Sequence, residues 1–236
     1  MNLILAMLLG HAMGDFYFQT YDMVSKKKES IVKHVLIYTI IIVLIYWFMT
    51  KSKNVVVLGI IVLISHFTID NLNVYVSKKM DNLQQVKLLT FLLDQILHIS
   101  ILIIYIAMFD YLTVSEVHVN NFLLFAVIIS YLIMPSSILI DKVLYMVNKD
   151  KSVKMFELDE GTVIGILERM LILAMGVSGS INGIGFLIAA KTMVRYGQFD
   201  DKEKDTNFRS KYLIGTLLSV LLGFVLYLTF VWIKSN

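Results

Sequence analysis

Val55-Val56-Val57-Leu58-Gly59-Ile60-Ile61-Val62-Leu63-Ile64-Ser65-His66-Phe67-Thr68-Ile69-Asp70 is the stretch that decides how the rest of the chain is read. For almost three helical turns it is apolar on every face, and it then admits a histidine and an aspartate four residues apart. A helix on the surface of a soluble core would alternate apolar and polar faces. One that is apolar all round belongs in a lipid bilayer. An ionised carboxylate at the centre of such a helix costs roughly 2.5–3.5 kcal/mol on insertion scales. Packing alone does not call for His66 and Asp70.

The same pattern recurs on both sides. Upstream are His11-Ala12-Met13-Gly14-Asp15 and His34; downstream is Asp94-Gln95-Ile96-Leu97-His98. Of the five histidines only His118 lies outside this region, and it reads as a solvated loop residue. The chain is 58% hydrophobic, contains a single proline and has a mean hydropathy of +0.76. That is the profile of a multi-pass membrane protein. With no cysteine there is no disulfide framework, thiolate metal site or cysteine nucleophile. A net charge of +3, carried by loops, gives no support to nucleic-acid binding. The N-terminus lacks a basic region and a small-residue cleavage site, so it reads as a first membrane helix.

Hydropathy and loop signals predict an all-α transmembrane bundle of about eight helices, over 3–23, 31–49, 55–76, 86–109, 122–147, 162–177, 184–196 and 212–233. Pro135 is expected to kink the fifth. Ser178-Gly179-Ser180-Ile181-Asn182-Gly183 reads as a tight turn rather than a phosphate loop. Two membrane domains are expected, 1–110 with the histidines and 111–236 with charged connectors. Lys26-Lys27-Lys28, Lys78-Lys79 and the connectors at 148–161 and 200–211 lie on one side, with Lys51, Lys53 and Lys234 opposite. The positive-inside rule makes the first side cytoplasmic and puts both termini on the other. Tyr46, Trp47, Phe109, Tyr111, Tyr196 and Trp232 fit interfacial belts.

On this map His11, Asp15, His34, His66, Asp70, Asp94 and His98 fall at one depth in the cytoplasmic leaflet. Asp70 and Asp94 lie roughly 10 Å from their loop at 1.5 Å per residue. Helices 1 and 3 both carry H-x3-D, and helices 2 and 4 each return with a histidine. This pattern suggests two related hairpins, as in parallel-repeat transporters. Residues four apart share a helix face, so His11 with Asp15, His66 with Asp70 and Asp94 with His98 form three chelating pairs. Imidazole and carboxylate together suit a divalent zinc, manganese or iron ion. The seven residues suffice for two ions sharing a carboxylate, or for one ion with outer-shell aspartates. Asp15, Asp70 and Asp94 are the candidate catalytic groups, as bridges or general base. No organic cofactor is indicated. Interhelical hydrogen bonding and a proton or ion pathway are the competing readings.

A second polar set comprises Asp141, Glu168, Arg169, Asn182, Lys191 and Arg195. Snorkelling cations with an ion pair between Arg195 and Glu168 is the plain reading. The sharper one is a basic clamp of Lys191, Arg195 and Arg169 for an anionic lipid headgroup or lipid-linked phosphate.

Gly10-His11-Ala12-Met13-Gly14-Asp15-Phe16-Tyr17-Phe18-Gln19, Ser65-His66-Phe67-Thr68-Ile69-Asp70 and Asp94-Gln95-Ile96-Leu97-His98 resemble the bacterial membrane-protein family known as domain of unknown function 3307. Gly165-Ile166-Leu167-Glu168-Arg169, the run from Ile184 to Lys191 with Arg195, and the run from Tyr212 to Ser219 look like the same family's C-terminal signature. The resemblance implies a bacterial inner-membrane location and supplies no reaction. A more distant similarity to membrane-bound metal-dependent hydrolases favours hydrolysis of a lipid-linked or phosphorylated substrate. An ion- or proton-coupled transporter and an accessory membrane subunit are the alternatives.

Overall fold

The structure, a computed structural model, describes residues 1–20, 23–24, 26–80, 84–109, 119–147, 160–196 and 206–235. Among these are eight α-helices and one π-helical segment, and no strand. The helices are α1 (Asn2–Ala12), α2 (Lys27–Thr50), α3 (Val55–Lys79), α4 (Gln84–Phe109), α5 (Asn121–Val147), α6 (Glu160–Val177), α7 (Ile181–Tyr196) and α8 (Thr206–Ser235). The π segment is Met13–Tyr17 and continues α1 directly.

The expectation of an all-helical bundle of about eight helices holds. Five helices, α2, α3, α4, α5 and α8, are long and apolar enough to cross a membrane. The chain is accordingly a multi-pass membrane protein. The other three fall short for separate reasons. α1 has 11 residues before the π turn and α7 has 16, while α6 carries Glu160, Glu168 and Arg169 within 18. The first helix, expected over 3–23, already leaves helical geometry after Tyr17. His118 lies outside the described residues.

The chain forms two compact units, Met1–Ser130 and Tyr131–Asn236, so α5 contributes to both. In the first, α1 packs on α2 and α4, α2 on α3, and α3 on α4. Each long helix buries one stripe at four-residue spacing. On α2 it is His34, Tyr38, Ile42 and Tyr46; on α3 Leu58, Val62, His66 and Asp70; on α4 Asp94, His98, Leu102 and Ile106. Every stripe is polar in one half and apolar in the other. Because α3 runs against α2 and α4, its C-terminal polar half meets their N-terminal polar halves. The apolar halves, with Met7 of α1 and Tyr105, form the core. Away from the stripes Leu36, Ile40, Ile60, Ile64, Leu93 and Ile96 are exposed, as lipid-facing positions would be.

Turn chemistry sets the ends. Lys51 adopts a left-handed conformation (φ 53°), and its N–H reaches Trp47 O at 2.8 Å, closing α2. Its ammonium lies 4.0 Å from the centre of the Trp47 ring. Tyr105 donates to Asn54 O at 2.7 Å, tying α4 to the turn between α2 and α3. Asn120 caps α5 by accepting from the N–H groups of Phe122 and Leu123.

In the second unit α6 packs on α7 and α8. A Cβ on Gly176 would stand 2.6 Å from Tyr227 Cδ2, so only glycine permits that approach of α6 to α8. The expected turn after α6 is present. Gly179 takes a left-handed φ of 77°, and Ser180 N–H reaches Met175 O at 2.8 Å.

Candidate metal centre

The polar halves of the first-unit stripes meet in one buried cluster. His11, Asp15, His34, His66, Asp70, Asp94 and His98 are each at most 8% exposed. The π segment helps to bring Asp15 there. Phe18 N–H bonds to Met13 O at 2.9 Å, the five-residue step of a π turn. Its backbone lies hard against α2, for a Cβ on Gly14 would be 2.7 Å from Tyr38 Cδ2 and 3.3 Å from Tyr38 Cα. Tyr17 anchors the segment further by donating to Ser130 O at 2.9 Å.

At the centre of the cluster, His34 Nε2 and His66 Nε2 are 3.1 Å apart. Asp15 Oδ1 is 3.1 Å from the first and 3.8 Å from the second. Asp70 Oδ2 is 3.7 Å from His34 Nε2 and 3.5 Å from His66 Nε2. Two triangles therefore share the His34–His66 edge. Next to them, His98 stacks on His66 with ring centroids 4.0 Å apart, and its Nδ1 is 3.7 Å from Asp94 Oδ2. Three overlapping groups have ligand atoms close enough to hold an ion: Asp15 with His34 and His66, His66 with Asp70 and His98, and Asp15 with Asp94 and His98. Neither ring nitrogen of His98, nor Nδ1 of His34 or His66, has a hydrogen-bond partner among the described residues.

His11 occupies a different place. It belongs to none of the three groups, and both its nitrogens are engaged. Nδ1 is 3.0 Å from Tyr38 Oη and Nε2 is 3.1 Å from Gln95 Oε1. The Gln95 amide nitrogen donates to Asp15 Oδ2 at 2.7 Å and to Asp94 Oδ2 at 3.2 Å. With the amide so oriented, Oε1 must accept, and His11 carries its proton on Nε2. The chain of donors then runs from the Tyr38 hydroxyl to His11, from His11 to Gln95, and from Gln95 to Asp15 and Asp94. The expected direct pairing of His11 with Asp15 is replaced by this amide bridge. The two other pairs are within ion-pair reach as the four-residue spacing requires. Sequence reading assigned no role to Gln95 or Tyr38. Both carried a signal: Gln95 adjoins Asp94, and Tyr38 lies one turn beyond His34.

The polar groups of the second unit are used differently. Pro135 lacks an N–H, so the carbonyl one turn earlier loses its helical donor. The Ser136 hydroxyl supplies one to Tyr131 O at 2.7 Å. Arg169, 1% exposed, supplies more: Nε donates to Leu132 O at 2.8 Å and Nη2 to Ile133 O at 3.4 Å. Further bonds go to Ser137 Oγ at 2.6 Å and Ser219 Oγ at 3.3 Å. Glu168 pairs with Lys191; the side chain of Arg195, the partner expected from sequence, lies outside the described residues. Tyr212 donates to Lys191 O at 3.2 Å.

A model described as a protein family of unknown function, DUF3307, matches residues 3–126. The match takes in all seven clustered residues and stops short of the second-unit motifs. No curated protein and no solved structure matches the chain. Since more than half of the 236 residues align with it, the chain belongs to the DUF3307 family.

Proposed function

We propose that the first unit binds a divalent transition metal inside the membrane-embedded bundle, with His34, His66, Asp15 and Asp70 as the ligands. Asp94 and His98 offer a second position that shares Asp15, as a paired centre would require. The observation that carries this reading is the spacing of the ligand atoms. A tetrahedral ion bound at 2.0–2.1 Å sets its ligands roughly 3.3–3.4 Å apart. The five distances that involve His34 or His66 run from 3.1 to 3.8 Å. In this reading His11, Gln95 and Tyr38 orient the carboxylates.

The ligand set is nitrogen and hard oxygen with no sulfur, which suits zinc, manganese or iron. An ion so held lowers the pKa of bound water and polarises a phosphoryl or carbonyl oxygen. Metal-assisted hydrolysis of a lipid-linked or phosphorylated substrate is the reaction class this favours. The donor chain speaks against a proton relay through His11. Its link to Asp15 is the Gln95 amide, which holds a hydrogen bond in one direction and does not pass protons along.

The decisive measurement is elemental analysis of the detergent-purified chain, without chelator, beside His66→Ala and Asp70→Asn. Near-stoichiometric metal in the wild type and its loss in both variants is the expected result. A metal-free wild type that takes up no added zinc, manganese or iron would overturn the reading. The metal-loaded protein would then be tested for phosphate release from phospholipid and polyprenyl-phosphate substrates.

A further inference from the structure

The buried cluster holds more ligands than one ion needs, and the overlap of its three ligand groups decides how many ions fit. The group of Asp15, His34 and His66 shares His66 with the group of His66, Asp70 and His98. That group in turn shares His98 with the group of Asp15, Asp94 and His98. A neutral imidazole has one nitrogen free to bind a metal, because the other carries its proton. Two groups that share a histidine are therefore filled one at a time. The first and third groups share only Asp15, and a carboxylate has an oxygen for each of two ions. They are the pair that can be filled together.

The two positions differ in what completes them. Asp70 is left over from this pair, and its Oδ2 lies 3.7 Å from His34 Nε2 and 3.5 Å from His66 Nε2. It supplies a fourth ligand to the first position and closes it. The second position has three. His98 Nδ1 is 3.7 Å from Asp94 Oδ2, a spacing within the range found around the first position. Both ring nitrogens of buried His98 lack a hydrogen-bond partner among the described residues, so one can take an ion. His11 is no fourth ligand, since its nitrogens are engaged by Tyr38 and Gln95. The Gln95 amide braces the second position, donating to one oxygen of Asp15 and one of Asp94. Four protein ligands make a closed, structural ion, whereas three leave a place for water or substrate.

We propose that the two ions divide the work. The first, held by Asp15, His34, His66 and Asp70, is structural; the second, held by Asp15, Asp94 and His98, is open and takes a phosphoryl oxygen of the substrate. This rests on the metal reading above and adds to it which ion meets the substrate.

Cobalt(II) titration of the full chain in detergent, followed by visible absorption, tests this with inorganic phosphate and short-chain phosphatidic acid as probes. Two equivalents should enter in two steps. Neither probe should move the bands of the first. One or both should shift the bands of the second and tighten its uptake roughly 5–150-fold, the usual range of coupling between two ligands. A larger response to phosphatidic acid would place the phosphate on a lipid, and an equal or larger response to inorganic phosphate on a soluble molecule; either sustains the open second ion. His98→Ala should lose the second equivalent and the response together, and Gln95→Leu should weaken the second step more than the first. A wild type that takes up no cobalt would overturn the metal reading itself. One equivalent with no second, a second that ignores both probes, or a shift in the bands of the first would overturn this proposal and leave the metal reading standing. So would a second equivalent held with wild-type affinity by the His98→Ala protein.

Discussion

Both units bury ionisable side chains in apolar helices, and they use them in opposite ways. In the first, the groups on separate helices converge on one another. Imidazole nitrogens and carboxylate oxygens crowd together in three overlapping groups, each close enough to hold an ion, and several ring nitrogens have no hydrogen-bond partner among the described residues. In the second, the guanidinium of Arg169 is spread over backbone carbonyls and hydroxyls, and Glu168 is consumed by Lys191. A charge inside a membrane protein is thus no signature of a reactive site by itself. What separates the cases is whether its polar atoms are already satisfied by the chain.

Substitutions can break this contrast. His66→Ala is among the most severe in the first unit, because His66, like Asp15 and His98, belongs to two of the three ligand groups. Metal affinity should fall by more than the 10–100-fold typical of outer-shell losses, read by competition with a metal-binding dye. Arg169→Leu is the counterpart in the second unit. It removes the donors to Leu132 O, Ile133 O and the hydroxyls of Ser137 and Ser219, and should cost about 2–5 kcal/mol in detergent unfolding. Metal content should stay unchanged; a loss of metal as large as the loss of stability would erase the distinction between the units.

Subtler changes sharpen the comparison. Gln95→Leu removes the donors to Asp15 and Asp94 and should weaken metal binding about 10–100-fold, with a small effect on stability. Tyr38→Phe acts one step further out, through His11, at about 0.5–1.5 kcal/mol. If the donor chain is real, Tyr38→Phe should add little in a Gln95→Leu background, and a double-mutant cycle on metal affinity measures this. The smallest effect concerns Glu168 and Lys191. Replacing both with methionine should shift stability by about 1 kcal/mol or less, while Lys191→Met alone should cost more by leaving a buried carboxylate unpaired.

The helical class and most of the cluster were legible because their signals are periodic. Four-residue spacing put His66 with Asp70 and Asp94 with His98 on shared faces, and the polar halves of the stripes could be aligned from hydropathy alone. What escaped has local physical causes. The π turn breaks the four-residue step at Asp15, and no composition signal marks a π turn in advance. Gln95 and Tyr38 are common in helices, and only their contacts across helices give them a role. Arg169 read as a free cation because the carbonyls it reaches lie on another helix, more than thirty residues earlier in the chain.

The two-part stripes also bear on how the chain is made. Each long helix of the first unit keeps its ionisable residues in the half nearest one end. There a side chain pays less to enter lipid than at the midplane, since its polar tip can reach towards the headgroups. A nascent α2 or α3 can therefore leave the ribosome's exit channel for the bilayer unaccompanied, with no partner shielding its histidine. The polar halves find one another later, by sideways association of helices already inserted. Asp94 and His98 arrive last, so the cluster closes only when α4 is in place. A chain stopped before Gln84 should insert stably and resist alkaline extraction, and should bind metal only weakly, since it keeps the four proposed ligands but lacks Gln95, Asp94 and His98.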